Sequence, residues 1–193
     1  MTNTTKRIMT GFLVSIVIFI LIMTWFYPYS FFSVHKSYSY TPDPVIVDGY
    51  INDLTEFKSS YEKALEGLTT DKTIDLTIDR TQYVLPLFEQ EWLISKDPVN
   101  MKKEDLSNIL FEVKNTRNTL LNLVARGDYS SEQRQYLVDS IESLLLLEES
   151  IAEIKSGKAE SRRTLKTQFH NVYGDFIGNF MMFEIFYERS QNE

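Results

Sequence analysis

The chain opens with an unbroken apolar run and then turns periodic. From Ile8 to Val34 no side chain is charged, and Ile8 to Tyr27 is dominated by Ile, Leu, Val, Phe and Met. Twenty residues at about 1.5 Å each cover the roughly 30 Å hydrocarbon core of a bilayer. The run closes on Trp25, Phe26, Tyr27, Pro28 and Tyr29. That is an aromatic collar suited to the headgroup level, with a proline that stops the helix. The pattern predicts a membrane anchor over 8–32, preceded by a short stretch, 1–7, on the inner side.

Cleavage of this segment is not expected. A secretory leader needs small residues after a shorter apolar core; here the first alanine is Ala64, and the run is followed by Tyr29, Phe31 and Phe32. Lys6 and Arg7 lie before the run, while Lys36, Asp43, Asp48 and Asp53 are the first charges after it. The positive-inside bias therefore predicts a cytoplasmic N-terminus and an extracytoplasmic remainder at the cell membrane. With seven residues before the run, no signalling output domain is expected on the inner side.

After a Ser-, Tyr- and Pro-containing linker over 33–43, helical periodicity governs the rest, 44–190. Asp43 and Pro44 read as N-cap and first helical position. Val47, Tyr50, Ile51, Leu54, Phe57, Tyr61, Ala64, Leu65 and Leu68 then recur at helical spacing up to an end near Gly67. A second pattern runs from about Lys72 to Ser95, with Ile74, Ile78, Leu85, Phe88 and Trp92 on one face and Pro86 as an expected kink. A third starts near Asn100 and ends at Gly127. The fourth opens with Ser130 and Gln133, a capping-box spacing, and ends at Gly157. The fifth carries Leu165, Phe169, Val172, Phe176, Phe180, Phe183 and Tyr187. Matched segments with short connections predict an all-α fold: one spanning helix and an antiparallel up-and-down bundle of about five helices. Over Lys72 to Arg80 alternating Ile and Leu also fit a strand, but a strand needs a partner. Ser37 to Thr41 and Val45 to Val47 are the candidates, and helix is preferred.

Charge sharpens the division. The net charge of −7 separates into +2 for residues 1–35 and −9 for residues 36–193. An acidic main domain is unsuited to nucleic acid, which requires basic surface. With no cysteine, disulfides, thiolate chemistry and a lipidated cysteine are excluded. The two histidines, His35 and His170, are far apart in sequence, and Thr167 stands where a Glu-x-x-His metal motif needs its glutamate. Asp71, Asp75 and Asp79 at four-residue spacing read as a solvated acidic stripe. Paired acids such as Glu89 with Glu91 do not form an acid–base pair, so no cofactor, metal or enzymatic chemistry is expected. Gly174 and Gly178, four apart, read as a close helix contact.

Two surfaces stand out. Nine of the twelve positions from Phe176 to Tyr187 are Phe, Ile, Met or Tyr. Either this helix is central and buried all round, or Phe176, Phe180, Phe183, Phe186 and Tyr187 form a partner or ligand surface. The second surface is basic. Lys102, Lys103, Arg162, Arg163 and Lys166 fall at helix starts, where the helix dipole disfavours cations. Helix parity puts both of these turns at the membrane end, so they are expected to face anionic headgroups or an acidic partner. The function expected from these features is non-enzymatic: a single-pass membrane protein whose outer domain binds another envelope protein. A membrane-tethered carrier of a small apolar ligand is the alternative.

Overall fold

The computed structural model describes residues 3–68, 75–157 and 160–191. Its order is α1 (Asn3–Phe26), β1 (Ser37–Tyr40), α2 (Pro44–Leu68), α3 (Leu76–Phe88), α4 (Glu91–Ile94), β2 (Val99–Lys102), α5 (Lys103–Arg126), α6 (Ser131–Ser156) and α7 (Arg162–Gln191). The fold is all-α, with one small two-stranded ribbon among the described residues. α1 is long and apolar enough to cross a membrane, and none of its residues is buried by the rest of the chain. It ends at Phe26, short of the expected 32, because Pro28 cannot continue the hydrogen-bonded ladder.

Several helix starts follow from local chemistry. Asp43 accepts the Val45 N–H at 2.9 Å, and Pro44 opens α2. Ser130 and Gln133 exchange reciprocal bonds, Ser130 N–H to Gln133 Oε1 at 2.8 Å and Gln133 N–H to Ser130 Oγ at 3.3 Å. Each satisfies a donor that the first turn of α6 leaves open. Between α5 and α6, Gly127 is required sterically: a Cβ there would lie 2.0 Å from Cε2 of Tyr129. That ring is held by Phe186 edge-on at 5.2 Å and by a 2.9 Å hydroxyl contact with Thr77.

The second predicted segment is corrected. Its helical part starts at Leu76, because Asp75 caps α3 from outside by accepting the N–H groups of Thr77 (2.7 Å) and Ile78 (3.1 Å). Asp75 and Asp79 therefore do not share a helical stripe, and Asp71, with Lys72 to Ile74, lies outside the described residues. Pro86 sits within α3, which stops two residues later, and the separate short α4 carries Trp92 and Leu93 inward.

The linker is also corrected. Ser37–Tyr40 pairs antiparallel with Val99–Lys102, Ser37 opposite Lys102 and Tyr40 opposite Val99. Alternation in Ser-Tyr-Ser-Tyr sends Tyr38 and Tyr40 inward, where both stack on Phe169 at 5.1 and 5.7 Å. The third helix accordingly starts at Lys103, behind a strand.

α7 is the axis of the core. It packs on α6 in opposite sense, with Gln133 bonded to the Arg189 carbonyl and Ser143 to Asn179 at 2.9 and 3.0 Å. α5 lies beyond α6, joined by an Arg117–Glu148 ion pair at 2.7 Å. On the other flank α2 leans on α7 through aromatic rings: Tyr50 and Phe57 meet Phe180 edge-on at 5.4 and 5.7 Å. Tyr50 also donates to the Phe88 carbonyl at 2.7 Å, tying α2 to the end of α3.

Candidate functional site at the α1 end of the domain

Of the two readings of the aromatic stretch, the buried central helix holds and the partner or ligand surface is corrected. Phe176, Phe180, Phe183, Phe186 and Tyr187 are all buried. Their rings lie 5.0–6.3 Å from those of Phe57, Tyr61, Phe88, Trp92 and Tyr129, in mostly edge-on pairs. Each such pair adds about 0.5–1.5 kcal/mol beyond its buried area. These five residues are structural core, because apolar faces of α2, α3, α4 and α6 surround α7. Burial pushes the Tyr187 hydroxyl above its ordinary value.

What α7 leaves outside is a narrower strip. Gly174, Met181 and Ile185 are exposed, with Gly178 partly so, and neither glycine has a neighbour within 4 Å of where a Cβ would stand. The close helix contact expected at Gly174 and Gly178 is thus not made among the described residues. Beside the strip lies Glu184, whose carboxyl is pushed up to about 7 by burial first and then by Glu188, Asp53 and Glu56. On the opposite side of α2, Ile51, Leu54 and Ile94 floor a shallow cleft of about 350 Å³ rimmed by the Lys58–Glu89 ion pair.

The basic residues divide into contacting and free-standing ones. Arg162, at the start of α7, donates from Nε to the Trp25 carbonyl, and its guanidinium lies 5.1 Å from the Trp25 ring centre. Lys103 donates from Nζ to the Gly157 carbonyl at 2.9 Å, over the Tyr29 ring at 5.7 Å. Gly157 after α6, the start of α7 and the start of α5 therefore meet at the C-terminal end of α1. Lys102 is exposed, and its backbone N–H is held by Asp105 at 2.8 Å. Arg163 and Lys166 are exposed on the first turns of α7, and His170 is exposed one turn further on.

Between α1 and β1 the chain makes a structured loop, where the sequence predicted the end of the anchor up to 32 and the start of the linker from 33. Two turns close through Ser30 N–H to the Tyr27 carbonyl (3.0 Å) and Ser33 N–H to the Ser30 carbonyl (3.2 Å). Pro28, Tyr29, Ser30 and Ser33 are buried. The Tyr29 hydroxyl donates to the Met101 carbonyl at 2.8 Å, and burial pushes that phenol well above the usual range. Phe31, Phe32 and Val34 point the other way. The signal available in the sequence was the tight interleaving of small and aromatic residues from Pro28 to Val34.

Comparisons with family models, with curated proteins and with solved structures returned no match.

Proposed function

We propose that this is a single-pass, membrane-anchored interaction protein without enzymatic activity, whose helical domain stands on the extracytoplasmic side of the cell membrane and binds another envelope protein. The observation that carries the reading is the separation of two apolar surfaces. α1 buries none of its residues against the domain, while the domain closes its own core around α7. An apolar helix without a protein partner needs lipid; a domain with a closed core does not. The exposed strip of Gly174, Gly178, Met181 and Ile185 supports a contact role, since small residues let a partner's backbone approach closely.

The alternative, a carrier for a small apolar ligand, draws support from the Ile51, Leu54 and Ile94 cleft, because the aromatic interior is filled by side chains.

The absence of native cysteine allows a clean topology test. With Thr4→Cys and Gln135→Cys introduced singly, an impermeant maleimide added to intact cells is expected to label position 135 and spare position 4. The reverse pattern overturns the orientation. For the contact role, a benzophenone residue in place of Met181 is expected to capture one protein of defined mass in intact cells, while the same group in place of exposed Lys114 does not. Equal capture at both positions refutes a specific contact on α7.

A further inference from the structure

The loop from Pro28 to Lys36 is held to the domain on one side and presents an apolar wedge on the other. Its buried positions, Pro28, Tyr29, Ser30 and Ser33, fix it, whereas Phe31 is 84% exposed, Phe32 52% and Val34 68%. The wedge does not project into solvent at random. It folds back along α1: the Val34 N–H donates to Thr24 Oγ1 at 3.0 Å, and the Phe32 ring meets Phe19 edge-on at 5.3 Å. Phe19 lies seven residues before the end of α1, a drop of about 10 Å along the helix axis. Phe31 packs on Phe32 at 5.5 Å, so the two rings form one patch continuous with the apolar surface of α1.

One cation lies over this patch and two more over the aromatic rings just before it in the chain. Lys36 lies over the Phe31 ring at 5.8 Å, Arg162 over Trp25 and Lys103 over Tyr29. Arg163, Lys166 and Lys102 are exposed on the same end. Within 28–36, 102–105 and 160–166 these six basic residues meet three carboxylates, Glu104, Asp105 and Glu160, in a chain whose net charge is −7.

We infer that this loop is an interfacial wedge that seats the base of the helical domain directly on an anionic lipid leaflet, with Phe31 and Phe32 in the outer edge of the acyl region and the nearby cations at the lipid phosphates. The inference rests on the reading of α1 as a membrane span. A lipid surface is the occupant that fits, because the patch continues the surface of α1 itself. A soluble protein could cover it only by displacing lipid from that helix. These positive charges match acidic headgroups, and aromatic rings beside cations suit the boundary between acyl chains and headgroups. A domain held this way is fixed in height and orientation above the bilayer, which a flexible linker would not achieve.

The test uses the full chain in phosphatidylcholine nanodiscs, with and without about a third phosphatidylglycerol, a share that gives a strong negative surface potential. Spin labels are attached singly at Ile18→Cys, Phe31→Cys and Gln135→Cys, and accessibility to oxygen and to a water-soluble nickel chelate is compared. Positions 18 and 31 are expected to favour oxygen, and position 135 the nickel chelate. Nickel access at 31 with oxygen preference at 18 overturns the wedge and leaves the span standing; nickel access at 18 overturns both. Adding Arg163→Glu and Lys166→Glu is expected to raise nickel access at 31 several-fold in the anionic discs and little in the neutral ones. Unchanged access in the anionic discs overturns the role assigned to the cations.

Discussion

α1 is the most apolar of the long helices and α7 the most aromatic, and they meet opposite fates. α1 has 24 residues and buries none of them; α7 has 30 and buries ten. The difference lies in how polar residues are distributed. From Ile8 to Phe26, α1 has no charged side chain on any face. In α7, Lys166, His170, Asp175, Glu184 and Glu188 interrupt the aromatic residues at intervals that keep one side in water. Apolar content alone therefore does not say whether a helix is a span or a core. Uniform apolarity around the axis, with no other helix of the chain burying it, makes α1 a candidate span, whereas the amphipathic helices around α7 make it core.

The comparison breaks most visibly at Phe180, whose ring contacts Tyr50, Phe57 and Phe88. Phe180→Ala is expected to cost about 3–5 kcal/mol in chemical denaturation of the domain, the usual range for emptying such a site. A cost below about 0.5 kcal/mol, typical of surface positions, would return this residue to the surface. The corresponding change in α1, Val17→Arg, is expected to oppose membrane insertion by about 2.5–3.5 kcal/mol. It should shift the protein toward the soluble fraction and leave the thermal unfolding of the domain where it was. A domain that melts earlier in this variant would mean that α1 contributes to the core.

Smaller effects sharpen the account of the domain. Ser130→Ala removes the acceptor for the Gln133 N–H and is expected to cost about 1 kcal/mol, read from the urea midpoint at unchanged slope. Glu184 gives a pH signature. Its folded-state carboxyl titrates at about 7, above its ordinary 4.5, so between these values the folded chain retains a proton that the unfolded chain has lost. Stability should accordingly fall as pH rises from about 4.5 to about 7. Glu184→Gln should flatten that segment of the profile; an unaltered slope would assign it to other groups. Solvent screening of this half-buried carboxyl makes it the smallest of the effects.

What could be read from the sequence was what depends on near neighbours. The Asp43–Pro44 and Ser130–Gln133 starts are set within four residues, and the apolar run of α1 by composition alone. The β1–β2 ribbon was missed because Ser37 and Lys102 are 65 residues apart, and four-residue strands carry too little alternation to announce a partner. Asp75 was read inside a helix because a cap and a first-turn acid look alike until the backbone direction is known. The aromatic residues of α7 could be read as either core or contact surface, and the choice is made by Tyr50, Phe57, Phe88 and Tyr129 on other elements. The wedge at Phe31 and Phe32 went unread because its shape depends on which loop residues the domain buries, and Tyr29 reaches across 72 positions to Met101.

The central claim is that the apolar surface of α1 is matched to lipid and that of the domain to its own side chains. Photo-methionine incorporated throughout the full chain in lipid nanodiscs tests both halves in one digest, because Met9 is exposed on α1 and Met101 is buried in the domain. After irradiation, mass spectrometry is expected to find lipid adducts at Met9 and only intramolecular peptide crosslinks at Met101. Crosslinks from Met9 to peptides of the helical domain, or lipid on Met101, would contradict the account.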